Sequence, residues 1–182
     1  MTADPWPLTG PLHIDSIALA AGGVIGMTHC PGRCAPDRHG RRWQRSLDAD
    51  LQVIRQAGFG TVLSLLPDHE LAAFGVPDLG ARVQQAGLGW RQFPIEDFGV
   101  PVGPSRLAWS ALQTELSARL QSGQALLVHC AAGLGRTGTM VALLLKALGQ
   151  DSATAIAAVR AARPGTIETP AQHDFVVSFN AS

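Results

Sequence analysis

Hydrophobic positions along the chain switch repeatedly between a period of two and a period near 3.6, and each switch marks an element. Two short apolar runs, His13–Ala18 and Gly23–Thr28, predict strands. An irregular stretch rich in Pro, Gly, Arg and His follows, from His29 to Arg42. Ser46 has the chemistry of an N-cap; Leu47, Leu51, Ile54 and Ala57 then recur at helical spacing until Gly58 ends the run. Thr61–Leu66 reads as a strand, which Pro67 and Asp68 turn into a short helix. Gly89–Ile95 is another strand, followed by a loop through Pro104. From Ser105 a helix carries Trp109, Leu112, Leu116 and Leu120 on one face and closes at Gly123. Strand Ala125–His129 precedes a short polar loop and an apolar helical run, Thr139–Leu148. Helices Ala153–Ala162 and Pro170–Phe179 complete the pattern, the second with Thr169 as cap and Pro170 in its first turn. Strands alternating with helices predict an α/β fold: a three-layer single domain over residues 1–182, its mostly parallel central sheet flanked by helices. Ligands of such sheets bind beyond the carboxyl ends of the strands.

Composition narrows the function classes. Of 182 residues, 46% are hydrophobic and only 15% charged, which suits a packed globular chain. The formal net charge is zero, so no global field draws the chain to nucleic acid or to an anionic membrane. Met1–Pro11 lacks the basic start and apolar core of a secretory leader. The apolar stretch Ile17–Met27 is too short for a membrane span and carries two adjacent glycines. Three cysteines, an odd number, do not make a disulfide scaffold, and a reducing cytoplasm is the expected setting.

The candidate chemistry lies in His129-Cys130-Ala131-Ala132-Gly133-Leu134-Gly135-Arg136-Thr137-Gly138, between the strand and the apolar helix. Five small or apolar residues between a cysteine and an arginine let the backbone amides of Ala131 to Arg136 converge on a phosphate. The helix that follows aims its positive end at the same point. Arg136 offers a planar fork to two phosphate oxygens. A cysteine in such an electropositive cradle is favoured as its nucleophilic thiolate. Gly133-Leu134-Gly135-Arg136-Thr137-Gly138 also fits the dinucleotide fingerprint G-x-G-x-x-G. That fold needs a further strand ending in an acidic residue; after Leu148 the sequence offers only helices, with Asp151 in a capping position.

With Cys130 and Arg136 in place, the chain resembles the cysteine-dependent protein-tyrosine and dual-specificity phosphatases, whose signature is His-Cys, five residues, Arg, then Ser or Thr and Gly. Asp97-Phe98-Gly99-Val100-Pro101 resembles the mobile loop that carries their general acid, and Arg160, Arg163 and Ile167-Glu168-Thr169 through Gln172 resemble a later segment of the family. Gly23-Val24-Ile25-Gly26-Met27 and the turn Cys30-Pro31-Gly32 are similar to the compact cyclin-dependent-kinase-associated subgroup. The resemblance implies a phosphoric monoester hydrolase acting on phosphorylated protein, with no cofactor and no metal. In it Cys130 is the nucleophile, Arg136 the phosphate clamp and Asp97 the acid. Thr137 would hydrogen-bond the sulfur and His129 would support the loop from behind. Glu168 stands where tyrosine-specific members place a glutamine, and a carboxylate beside a phosphate is repelled unless protonated or turned away. Gln172, three residues after Thr169, has capping-box spacing.

Other readings compete. A rhodanese-like sulfurtransferase also uses a cysteine loop but has no need of the Asp97 segment. A binding module could use the cradle without turnover, and a phosphoinositide phosphatase would want lysines where Ala131, Ala132 and Leu134 stand. Glu96 competes with Asp97 on composition alone. His29, Cys30, Cys34 and His39 fit no common zinc spacing. Arg33, Arg38, Arg41, Arg42 and Arg45 would attract anionic substrates if they lay beside the phosphate site.

Overall fold

The computed structural model describes residues 8–37 and 39–180; most of the segment read above as lacking a leader, and Arg38 of the arginine run, lie outside the described residues. Five strands, β1 (Asp15–Ala18), β2 (Val24–Thr28), β3 (Thr61–Ser64), β4 (Gly89–Gln92) and β5 (Ala125–His129), form one sheet in the order β1-β2-β5-β3-β4. β1 runs antiparallel to β2, and every other pairing is parallel. β5 takes the centre because Leu126, Leu127 and Val128 are apolar towards both faces and all buried. Thr28 of β2 and Ser64 of β3 both pair with His129, so these three strands end level and their loops leave from one edge. The strands expected to reach Leu66 and Ile95 end sooner as regular ladder. Pairing nonetheless continues, since Leu65 N–H donates to the His129 carbonyl (2.9 Å) and Ile95 N–H to the Leu65 carbonyl (3.0 Å).

Seven helices surround the sheet: α1 (Leu47–Gln56), α2 (Asp68–Ala73), α3 (Leu79–Gln85), α4 (Pro104–Gln121), α5 (Gly135–Ala147), α6 (Ser152–Ala162) and α7 (Pro170–Ser178). Ser46 caps α1, its hydroxyl accepting from Ala49 N–H. α3 was not expected. It is seven residues long and buries only Leu79 and Val83, too few for a period to emerge. α5 starts four residues before the apolar run, because Gly-Arg-Thr-Gly reads poorly as helix. Tertiary packing overrides that propensity: a Cβ on Gly138 would lie 2.6 Å from Thr166 Cβ, so only glycine lets the helix approach that turn. Residues 135–145 of α5 are all buried, as a helix apolar on every side must be. α5 lies against β2 and β5 and is itself packed by α4, α6 and α7. Gln113 of α4 donates to the Leu143 carbonyl (2.6 Å), and Lys146 donates to the carbonyls of Val176 and Phe179.

After α5 the described residues form helices and turns but no strand, and Asp151 caps α6 through Thr154 N–H. Among the described residues the dinucleotide arrangement is therefore absent. Among the described residues no helix is long and apolar enough to cross a membrane.

Candidate active site

The loop from Cys130 to Gly135 leaves the central strand and enters α5, and its carbonyl groups are pulled outward one by one. His129 Nδ1 lies 3.2 Å from the Cys130 carbonyl. The Ala131 carbonyl accepts from Cys30 N–H (3.2 Å) and Arg33 (3.4 Å). Arg163 donates to Ala132 (2.9 Å) and Gly133 (2.8 Å). Leu134 accepts from Gly138 N–H, and Gly135 from the Thr139 hydroxyl. With these carbonyls bonded to the surrounding protein, none of them needs a partner on the loop's inner side, a polarity that would suit an anion there. Arg163 is wholly buried and anchored by Asp15 at 2.7 Å, so it acts as a strut behind the loop. Sequence reading gave Arg163 a family motif but not this role.

Arg136 sits in the first turn of α5, with its side chain 2% exposed. Its Nη1 donates to Glu70 Oε1 (2.6 Å) and to the Ile95 carbonyl (2.9 Å); Nη2 reaches Glu70 Oε2 (3.0 Å) and Asp97 Oδ1 (3.1 Å). Burial opposes the guanidinium's charge, but the hydrogen bonds it donates to Glu70 and the charges of Cys130, Glu70 and Asp97 outweigh it, so its pKa is raised. The fork is thus oriented by one edge, while its Nε–H has no hydrogen-bond partner among the described residues. Glu70 was missed in the sequence. Its only signal is an acidic residue in the turn after β3, and nothing local says which arginine it meets.

Asp97, 60% exposed at the side chain, lies beside Arg136, whereas Glu96 points to His69 at 3.7 Å and is 76% exposed. Phe98, next to Asp97, adopts a left-handed backbone (φ 58°), and its N–H donates to the Asp97 carboxylate. Cys130 is buried, a free thiol at the base of the cradle. The Thr137 hydroxyl is also buried but has no hydrogen-bond partner among the described residues, so the bond expected to the Cys130 sulfur is not formed here.

His129 is fully buried. Burial, first, and the Arg136 charge push its pKa down to about 4, against the opposing hydrogen bond with the Cys130 carbonyl. The ring is therefore neutral at neutral pH and sits against the carbonyl of the loop it adjoins. His29-Cys30, at the end of β2, repeats this arrangement. His29 Nδ1 lies 3.3 Å from the Cys30 carbonyl, and burial lowers its pKa to about 3. Burial likewise pushes the Cys30 thiol up.

Glu168 meets the cradle directly: its Oε2 accepts Gly135 N–H at 2.9 Å. Gln172 completes a capping box with Thr169 at the start of α7, and its Oε1 also accepts Glu168 N–H (2.9 Å). Its Nε2 approaches the Gly99 carbonyl of the Asp97 loop at 3.5 Å.

Three arginines of the run have partners within the fold, and Arg42 is exposed. Arg33 stacks on Trp43 and Phe74, Arg41 pairs with Asp37, and Arg45 grips the buried Asp50. The one gathered group of metal-capable donors among the described residues is His69, Glu70 and Glu96, not the His29–His39 set. There both Glu70 oxygens are already bonded to Arg136.

A family profile described as the Swiss Army Knife protein, DSP-PTPase phosphatase domain, matches residues 44–176. Cyclin-dependent kinase inhibitor 3 of Rattus norvegicus is 30% identical over 139 residues, 75% of this chain and 64% of that protein. The chain thus spans a little under two thirds of that relative. Its Homo sapiens counterpart is 27% identical over 173 residues, 93% of this chain and 79% of the relative. The crystal structure of kinase associated phosphatase, with its catalytic cysteine replaced by serine, superposes with a TM-score of 0.80 at 26% identity, covering 92% of this chain and 93% of that one. The chain belongs to the dual-specificity and protein-tyrosine phosphatase domain family, within which it is similar to cyclin-dependent kinase inhibitor 3.

Proposed function

We propose that the protein hydrolyses phosphomonoesters on phosphorylated proteins, phosphotyrosine and also phosphoserine or phosphothreonine, through a cysteinyl-phosphate. The observation that carries this reading is the outward bonding of consecutive carbonyls from Cys130 to Gly135, with Arg136 and Asp97 closing on the same loop. The Cys130 thiolate attacks phosphorus. The phosphorus–oxygen bond of the ester breaks as Asp97 gives its proton to the leaving oxygen. Inward amides of Ala131, Ala132, Gly133, Leu134, Gly135 and Arg136, with the Arg136 fork, hold the charge on the equatorial oxygens. Water then attacks phosphorus, Asp97 takes a proton from it, the phosphorus–sulfur bond breaks, and thiolate and inorganic phosphate result.

Thr137 serves this scheme if its unsatisfied hydroxyl turns to the sulfur when negative charge settles there. No metal or organic cofactor enters any step. The uncharged side chains of Ala131, Ala132 and Leu134 disfavour the multiply phosphorylated headgroup of a phosphoinositide, and Asp97 is superfluous for a module that only binds. A reducing compartment such as the cytoplasm suits a free thiol nucleophile. The test is hydrolysis of a small aryl phosphate and of phosphotyrosyl and phosphothreonyl peptides. Cys130→Ser is expected to abolish turnover and Asp97→Ala to lower kcat by about 10²–10⁴-fold. Unchanged turnover in Cys130→Ser would end the proposal.

A further inference from the structure

Glu168 holds an amide that the phosphoryl group needs. Gly135 N–H belongs to the first turn of α5 and to the cradle, and Glu168 Oε2 already accepts it at 2.9 Å. The approach is close: a Cβ built on Gly135 would lie 2.6 Å from that oxygen and 2.9 Å from the Gln172 amide atoms. Leu134, the N-cap of α5, provides no side-chain acceptor, so the chain's own carboxylate stands at the positive end of the helix. One N–H cannot serve a carboxylate and a phosphate oxygen at full strength, and two anions at one helix terminus repel.

We propose that Glu168 is a built-in competitor for the phosphoryl group: it sets the affinity of the cradle for phosphate and is displaced when substrate enters. The inference rests on the phosphatase reading above. The turn that carries Glu168 is held under strain. Ile167, immediately before it, is a β-branched residue held at φ 59°, a costly conformation maintained by Arg160 bonds to the Thr166 and Ile167 carbonyls. The displacement also has a route to the acid loop. Gln172 Oε1 holds Glu168 N–H, and Gln172 Nε2 faces the Gly99 carbonyl two residues beyond Asp97. Arrival of phosphate at Gly135 and movement of the Asp97 loop are thereby linked through one buried amide side chain. After turnover, return of Glu168 to Gly135 weakens the hold on inorganic phosphate and frees the cradle.

Glu168→Gln separates this role from simple helix capping. The amide oxygen still accepts Gly135 N–H, so the turn keeps its shape, but the competing charge is gone. In the Cys130→Ser background, titration calorimetry with inorganic phosphate is expected to give about tenfold tighter binding for Glu168→Gln, the difference between a charge-assisted and a neutral hydrogen bond. Without phosphate, the same variant is expected to have a slightly lower Tm, because a favourable charge at the helix terminus is lost. Affinity and stability moving in opposite directions support competition. Equal or weaker phosphate binding in Glu168→Gln overturns the inference and leaves the phosphatase reading intact. Failure of both proteins, with Glu168 and with Gln at 168, to bind phosphate overturns the reading and the inference with it.

Discussion

Arg136 and Glu70 form a two-pronged ion pair, Nη1 to Oε1 at 2.6 Å and Nη2 to Oε2 at 3.0 Å, across a separation of 66 residues. The pair fixes the plane of the guanidinium before any ligand is present, so the fork need not be ordered at the moment of binding. Glu70 reaches it from the first turn of α2, which is separated from the end of β3 by three residues, so the orientation of the clamp depends on how that strand ends.

Removing Glu70 tests this dependence. Glu70→Ala leaves a guanidinium buried with only the Ile95 carbonyl and the exposed Asp97 beside it. A loss of about 3 kcal/mol is expected, the lower end for breaking a buried ion pair. Glu70→Gln, which can still accept a hydrogen bond, is expected to keep most of the stability yet lose about 10²-fold in kcat/KM through misplacement of the fork. Urea melts and aryl phosphate kinetics on both variants decide the matter; full activity in Glu70→Gln would show that the orientation is unimportant.

The strut behind the loop makes a second case. Arg163 supports three acceptors at once, the carbonyls of Ala132 and Gly133 and the carboxylate of Asp15. Lysine preserves the charge but not the planar fork. Arg163→Lys is expected to leave at least one buried carbonyl unsatisfied, at about 1–3 kcal/mol, and to weaken phosphate binding as the loop relaxes. Phosphate titration on the variant, at a temperature where circular dichroism shows it folded, tests the second effect apart from the first.

The gathering of Asp97 with the Cys130–Arg136 loop could be expected from the sequence because these residues sit in short motifs whose spacing survives without the fold. The strand order around β5 was legible only as a class: alternation of strands and helices implies a parallel sheet, but not that β1 turns back antiparallel. Glu70, and the role of Arg163, could not be read. Each acts on a partner 30 or more residues away, and no local pattern encodes that distance. The individual partners of the arginine run were hidden for the same reason. Arg45 looks like a surface charge in sequence, yet it is 5% exposed and bonded to Asp50. Thr139 seemed the start of α5 because hydrophobicity begins there, whereas the helix begins at Gly135, where packing against Thr166 requires glycine at position 138.

The paired histidines make stability depend on pH in a stated direction. Burial holds His129 at about 4 and His29 at about 3, below the ordinary histidine value near 6.5 that applies in the unfolded chain. The unfolded state therefore binds more protons between those values. The stabilisation is complete above pH 6.5 and is lost as pH falls towards 4 for His129 and towards 3 for His29, at up to about 1.4 kcal/mol per pH unit for each ring. Urea midpoints at pH 7 and pH 5 should differ clearly in the wild type. The difference should shrink in His29→Gln and again when His129→Gln is added. An unchanged difference would mean that the acid sensitivity comes from other groups.

Gly133 supplies the most local test of the cradle, because two separate reasons exclude a side chain there. Its φ is +73°, which costs any L-residue about 1–2 kcal/mol, and a Cβ would fall 2.3 Å from the Thr28 carbonyl oxygen and 2.9 Å from His29 N. Gly22 shares the first reason without the second: its φ is +88°, and nothing lies within 4 Å of the position its Cβ would take. Gly22→Ala thus measures backbone strain alone. Gly133→Ala adds overpacking against the end of β2, worth about 1–3 kcal/mol more. Relief of that overlap can come only by moving the cysteine loop off the strand, since the obstructing atoms are backbone in the middle of the sheet's carboxyl edge. Gly133→Ala is therefore expected to lose both stability and kcat/KM, and Gly22→Ala stability only. Equal effects of the two substitutions on activity would mean that the loop does not need to lie against β2 to work.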